Sequence, residues 1–210
     1  SCSLWDADDV SVMSSIADAI HEFGALAGTQ PWHGGIYSAN KYTRELPFAP
    51  SSQPIAYVNP MHARAMDRSD IRNLRRWQVD AAKRAKEAGF DIVYVYAAHA
   101  YLPFQFIATR YNQRTDEYGG CLENRVRLFR EMLEETKDAV GDSCAVAVRF
   151  AVDELMGPAG ITADNEGREV VEMLAELPDL WDVNISDPKN DSGSARFFDE
   201  GFQEPYTAFV

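Results

Sequence analysis

Apolar positions along this chain alternate between two rhythms. Val10, Met13, Ile16, Ala17, Ile20 and Phe23 recur at helical spacing and stop at Gly24, after which Ala25 to Gln30 reads as a strand. Ile71, Leu74, Gln78, Ala81, Ala82, Ala85 and Ala88 form a second helical face, closed by Gly89 and followed by the apolar run Ile92 to Tyr96. Leu122, Val126, Phe129, Leu133, Thr136 and Val140 make a third helix, closed by Gly141 and followed by the strand Cys144 to Phe150. Val170, Val171, Leu174 and Leu177 mark a fourth, before the strand Asp182 to Ser186, and Glu204 to Val210 open a further helix. Between the first and second units lies a long irregular segment, Pro31 to Asp67, with Gly34, Gly35, Pro47, Pro50, Pro54 and Pro60. It far exceeds an ordinary connection and is therefore read as functional.

Strict helix and strand alternation, with nearly continuous apolar strands, predicts an α/β fold with a parallel sheet and helices outside it. A doubly wound sheet and a closed (β/α)8 barrel both meet that description. Two features favour the TIM barrel. The turns before strands are short, whereas the long insertions and polar clusters follow strands, as in a barrel whose site lies at the carboxyl mouth. No G-x-G-x-x-G follows a strand, so the dinucleotide fingerprint is missing. Eight strands take about 250 residues; with only four visible, the chain reads as an internal fragment, a partial barrel.

Composition removes several function classes. With 46% apolar residues the 210-residue chain can bury a sizeable core. A net charge of -13 argues against a nucleic-acid surface and mildly favours cationic small molecules. Cys2, Cys121 and Cys144 are odd in number and lack C-x-x-C spacing or a histidine companion, which predicts neither a disulfide framework nor a metal site and fits a reducing cytoplasm. No stretch approaches the roughly 20 apolar residues that span a bilayer.

The candidate chemistry sits where the second strand ends. Tyr96, His99 and Tyr101 place a phenol, an imidazole and another phenol within six residues of a buried strand exit. A tyrosine on an apolar strand is ordinarily core, and the exit position with His99 three residues on reverses that reading. Trp32 and His33, in Trp32-His33-Gly34-Gly35, are placed to line the same mouth, with a loop hydrogen-bonding role as the alternative for His33. Arg149 has Asp153 and Glu154 downstream as alternative ion-pair partners, and Asp191 in Asn190-Asp191-Ser192-Gly193 reads locally as an Asx turn.

Residues Asn112 to Arg127, N-Q-R-T-D-E-Y-G-G-C-L-E-N-R-V-R, resemble the N-x-R-x-D-x-Y-G-G-S-x-E-N-R-x-R signature of the Old Yellow Enzyme family of FMN barrels, with Cys121 where serine is usual. The Gly89-Phe90-Asp91 entry and Ala100-Tyr101-Leu102 exit of the central strand are similar too. The resemblance covers essentially residues 1–210 as strands three to six of one FMN-binding barrel domain. The Tyr96-x-x-His99 pair resembles the amine dehydrogenase branch, which includes the trimethylamine, dimethylamine and histamine dehydrogenases; ene-reductases usually begin this motif with histidine.

The resemblance implies roles. Tyr96 and His99 match the catalytic pair, and Asp191 matches the acid completing their triad. Arg149 and Gln30 fall where the family contacts the flavin pyrimidine, and Tyr101 takes the ene-reductase proton-donor position, here a substrate contact. The implied activity is oxidative dehydrogenation of a small amine by hydride-equivalent transfer to FMN. The implied full-length protein is a homodimer that passes electrons to an electron-transfer flavoprotein or similar acceptor, with a 4Fe-4S cluster outside this range. An NAD(P)H-dependent ene-reductase or 2,4-dienoyl-CoA reductase-like enzyme, and a truncated half barrel without activity, are the alternatives; the isolated chain is expected to be inactive. Asp187-Pro188-Lys189-Asn190 lacks the tryptophan that commonly precedes the triad acid, which shifts the expected substrate from a methylated ammonium towards a primary or differently shaped amine.

Overall fold

The computed structural model describes residues 3–39, 45–55, 61–187, 189, 193 and 196–210. Helix α1 (Asp8–His21) turns Met13 and Ala17 inward and precedes the short strand β1 (Gly28–Thr29). The expected second and third units follow as α2 (Arg68–Glu87) with β5 (Ile92–Ala97), and α4 (Leu122–Val140) with β6 (Ala145–Asp153). The fourth is α5 (Arg168–Leu174) with β7 (Leu180–Ile185), and α6 (Glu204–Phe209) comes last. Gly24, Gly89 and Gly141, read as helix stops, have φ of +72°, +90° and +58°, a left-handed backbone that side chains with a Cβ resist.

Strands β1, β5, β6 and β7 form one parallel sheet in that order. Spatial order follows chain order without reversal, which is barrel topology; a doubly wound sheet reverses at a switch point. Val93, Val95 and Ala97 of β5 and Val146, Val148 and Phe150 of β6 face the helices and are fully buried. Phe150 packs against Phe104 and Phe129 at ring distances of 6.3 and 6.1 Å, and each such side chain buried contributes about 1.5–3 kcal/mol. The opposite face carries Tyr94, Tyr96, Arg149, Asp182 and Asn184, because the register pairs Tyr96 with Arg149, Arg149 with Asp182, and Ala151 with Asn184.

Helix α2 opens with a capping box in which Asp67 accepts from the Asp70 N–H at 2.8 Å and Asp70 from the Asp67 N–H at 2.9 Å. Gln78, on its inward face as the periodicity predicted, donates to the Tyr94 carbonyl at 3.1 Å.

Three elements correct the reading of the sequence. The segment from Pro31 to Asp67 contains a 3-10 turn (Gly35–Ser38) and a small sheet in which β2 (Phe48–Ala49) pairs parallel, and β3 (Gln53–Pro54) antiparallel, with β4 (His62–Ala65). Strands of two to four residues are too short to show a period. Helix α3 (Leu102–Ile107) is buried on every side, so it has no polar face to betray it. Helix α5 ends at Leu174, short of Leu177, and follows a π-turn (Ala163–Gly167) where a Cβ on Gly167 would lie 2.0 Å from the Val152 carbonyl oxygen.

The signature from Asn112 to Arg127 is scaffold. Asn112 donates to the carbonyls of Phe106 and Tyr118, at 2.5 and 2.8 Å. Arg114 pairs with Asp116 and donates to the Pro50 carbonyl at 2.9 Å, fastening the small sheet to the loop between α3 and α4. Buried Arg125 donates to the carbonyls of Gly120 and Ile107 and pairs with Glu166. A Cβ on Gly119 would sit 2.2 Å from the Arg114 carbonyl oxygen, so this turn admits only glycine.

Candidate active site

The residues that bear chemistry gather on one face of the sheet, past the carboxyl ends of β1 and β5 and, through Arg149 and Asp182, at the middle of β6 and β7. Strained backbone gathers there as well. His99 and Ala100 have φ of +51° and +54° just past β5, Leu155 has +55° past β6, and Ser186 has +92° past β7. Left-handed non-glycine residues cost about 1–3 kcal/mol each and persist only where surrounding contacts enforce them. Here the turn from Ala98 to Tyr101 is closed by the Tyr101 N–H to the Ala98 carbonyl at 3.0 Å. Fully buried Gln105 clamps it, donating to the Ala100 carbonyl at 2.6 Å and to the Gly34 carbonyl at 3.4 Å, while accepting from the Ile36 N–H at 3.4 Å. A Cβ on Gly35 would fall 2.4 Å from the Gln105 amide nitrogen, which explains the second of the two glycines after Trp32 and His33.

The strained turn swings His99 back over the strand end, and its Nδ1 hydrogen-bonds the buried Tyr96 hydroxyl. Its Nε2 lies 3.3 Å from Nδ2 of Asn184 on β7. Burial pushes the Tyr96 phenol up to about 12, against the pull of the Arg149 cation and a hydrogen bond from Gln30; Tyr101 and Asp182 add to the rise. Arg149 places its guanidinium carbon 5.8 Å from the centre of the Tyr96 ring.

Tyr101 stands edge-on to Tyr96 with ring centres 5.2 Å apart, and Trp32 tilts against Tyr101 at 4.6 Å. Tyr37 closes the aromatic group 6.3 Å from Tyr101. His33 stacks on Phe48, and burial lowers its imidazole to about 4, so it is neutral at pH 7. Its Nδ1 accepts the Gly35 N–H at 3.1 Å, which assigns the ring proton to Nε2. Gln30, Trp32, His33 and Tyr96 border a cavity of about 650 Å³ whose remaining walls come mainly from the segment before α1 and from α2, so that it reaches well beyond the tyrosine–histidine pair.

Of the residues singled out in the sequence, Tyr96, His99, Tyr101, Gln30, Trp32, His33 and Arg149 therefore share one mouth. Asp191 lies outside the described residues. The alternative partners of Arg149 are not its partners. Glu154 is buried and paired with Arg110, and Asp153 accepts the N–H groups of Leu155 and Ala163 at 2.7 and 2.9 Å. Arg149 instead lies beside Asp182, with 3.5 Å between Nε and Oδ2. Asn184, Asp182 and Tyr37 are site residues the sequence reading missed. The alternation Asp182, Asn184, Ser186 in an otherwise apolar strand is the signal that marks the first two.

The donor set suits a flavin ring edge. Among the described residues, Arg149 Nε and Asn184 Oδ1 are buried side-chain atoms without a hydrogen-bond partner, a costly condition that a ligand rich in ring carbonyls and N–H groups relieves. Gln30 supplies an amide beside them. Among the described residues no group of His, Cys, Asp and Glu is placed to hold a metal, and no helix is long and apolar enough to cross a membrane.

Comparison with known proteins identifies relatives of the chain. Residues 1–198 match the model of the NADH:flavin oxidoreductase / NADH oxidase family. Dimethylamine dehydrogenase of Hyphomicrobium sp. (strain x) is 35% identical over 204 residues, covering 93% of this chain and 28% of its own length. The solved 6-hydroxypseudooxynicotine amine oxidase of Pseudomonas geniculata N1 superposes with a TM-score of 0.92 at 52% identity, over 99% of this chain and 31% of that one. Histamine dehydrogenase of Rhizobium sp. 4-9 gives a TM-score of 0.88 at 48% identity, over 96% and 30%. The chain thus spans less than a third of the length of each of these relatives.

Proposed function

Because this chain belongs to the NADH:flavin oxidoreductase / NADH oxidase family, we propose that its strand mouth is the substrate side of an FMN site at which a small amine is dehydrogenated. The observation that carries the reading is the Tyr96–His99 hydrogen bond, with Asn184 on the other imidazole nitrogen and Arg149, whose Nε has no hydrogen-bond partner among the described residues, alongside. The relatives named for amine substrates lend it support.

Bound FMN would supply the acceptor for a hydride equivalent leaving the carbon beside the amine nitrogen. Gln30 and Arg149 would hold the ring edge, Arg149 with a charge that needs no proton to persist. The nitrogen must be neutral as the hydride equivalent departs, so the site must take a proton from an ammonium. A phenol raised to about 12 is no standing base, and Tyr96 serves as a relay that hands the proton to Nδ1 of His99, which requires the neutral ring to carry its own proton on Nε2 and Asn184 to turn its amide oxygen to that N–H. With both ring nitrogens engaged, the imidazole cannot rotate away. Trp32, His33 and Tyr101 would contact the substrate and exclude water, and Asp191 would complete the triad. In the same reading the full-length protein is a cytoplasmic homodimer that hands its electrons to an electron-transfer flavoprotein through a 4Fe-4S cluster beyond residues 1–210.

The test is anaerobic reduction of the FMN-loaded full-length protein by a panel of primary, secondary and heteroaromatic amines. Bleaching of the flavin by an amine, abolished in Tyr96→Phe, is the expected result. Turnover of an activated alkene with NAD(P)H, and reduction by no amine, would overturn the reading.

A further inference from the structure

The face that carries Tyr96 also carries a row of charge. Tyr96, Arg149 and Asp182 are register partners on β5, β6 and β7, so the three side chains stand side by side. Arg149 leans over the Tyr96 ring on one side and approaches Asp182 on the other. The Arg149–Asp182 pair, about a third exposed on each side chain, is the ion pair that Arg149 makes among the described residues, and Asp153 and Glu154 are committed elsewhere. The contact is oblique, since Nε lies 3.5 Å from the carboxylate without a hydrogen bond to it, which leaves the guanidinium held by charge and free to donate elsewhere.

We infer that Asp182 is a positioning and charge-balancing residue for Arg149, anchoring the guanidinium from the side away from Tyr96 and setting how much positive charge reaches the flavin edge. This rests on the FMN reading above. Opposite charges a few ångströms apart offset each other's field at a third group, so a reduced, negatively charged ring feels Arg149 less when Asp182 is present. The same opposition is visible at two neighbouring phenols: Asp182 pushes both Tyr94 and Tyr96 upward and Arg149 pulls both downward. Asp182 therefore acts through Arg149 and touches no reacting atom.

The experiment is a redox titration of the FMN-loaded protein against dyes of known potential, comparing the wild type with Asp182→Asn, Asp182→Ser and Asp182→Glu. Removing the carboxylate in the first two leaves the Arg149 charge uncompensated, so the flavin midpoint potential moves to more positive values. Asp182→Glu restores most of the original value, which a merely structural role would not require. FMN content is measured on the same samples. Two substitutions of different size keep the comparison available if one of them folds poorly. Unchanged potentials in flavin-loaded Asp182→Asn and Asp182→Ser would overturn this inference and leave the amine reading standing. A wild-type protein that takes up no FMN would remove both.

Discussion

Replacing Tyr96 with phenylalanine removes one oxygen from the mouth and nothing else, and the cost of that oxygen follows from where it sits. The phenol is buried and raised to about 12. At pH 8, four units lower, only about one molecule in ten thousand holds a tyrosinate, and forming it costs about 5 kcal/mol at about 1.4 kcal/mol per unit. A mechanism that waits for free tyrosinate forfeits that amount; one in which His99 accepts the proton as it leaves avoids most of it. Positioned proton transfer contributes about 10²- to 10⁴-fold, so Tyr96→Phe should slow flavin reduction by that factor. Stability should fall by about 1–3 kcal/mol, since the hydroxyl bonds both His99 and Gln30 and its loss leaves them without that partner. Anaerobic stopped-flow reduction at saturating amine, from pH 6 to 10, reads the rate, and thermal denaturation of the loaded protein reads stability. Two outcomes would refute the reasoning: a reduction rate unchanged in the variant, or a wild-type kinetic limb near 10 that vanishes with the hydroxyl, since the phenol would then titrate as an ordinary tyrosine.

Glu154→Gln should destabilise the protein by about 3 kcal/mol, the lower end for breaking a buried ion pair because the Arg110 side chain remains 24% exposed while that of Glu154 is 1% exposed. The glutamine also turns one donor against the Arg110 guanidinium or the Ile161 N–H. In denaturant titrations the double variant Arg110→Met/Glu154→Met should recover most of the loss, and a double variant as unstable as the sum of its singles would contradict the pairing. His33, lowered from 6.5 to about 4 by burial, predicts a pH dependence of stability. Its folded value lies below its unfolded one, so between those pH values the unfolded chain binds the extra proton and stability rises with pH, then levels above about 6.5. Melting temperatures measured against pH should show a shallower rise across that window in His33→Asn, which retains an acceptor for the Gly35 N–H; parallel curves would show the imidazole to be solvated.

Much of the site was legible because its signals are local. Tyr96 and His99 lie three residues apart at the end of an apolar strand, and Trp32, His33 and the two glycines follow another; strand exits at one sheet face must converge. The acid partners were not legible. Arg149 has two carboxylates within five residues in sequence, yet the one beside it comes from β7, because parallel register sets Asp182 opposite it while Asp153 and Glu154 turn to the β6 exit loop.

By itself the sequence determined the repeating helix and strand units, their glycine stops, the apolar character of the strands and the polar cluster at the β5 exit, since each depends on spacing within about twenty residues or on a backbone angle one residue can or cannot adopt. Only the tertiary structure decided the strand order that distinguishes barrel from doubly wound sheet, the small sheet held by Arg114, the turn clamped by Gln105, and the choice of Asn184 for His99 and Asp182 for Arg149. Those contacts join residues far apart in the chain, and nothing in local periodicity encodes which edge a strand joins or which of several carboxylates a cation meets.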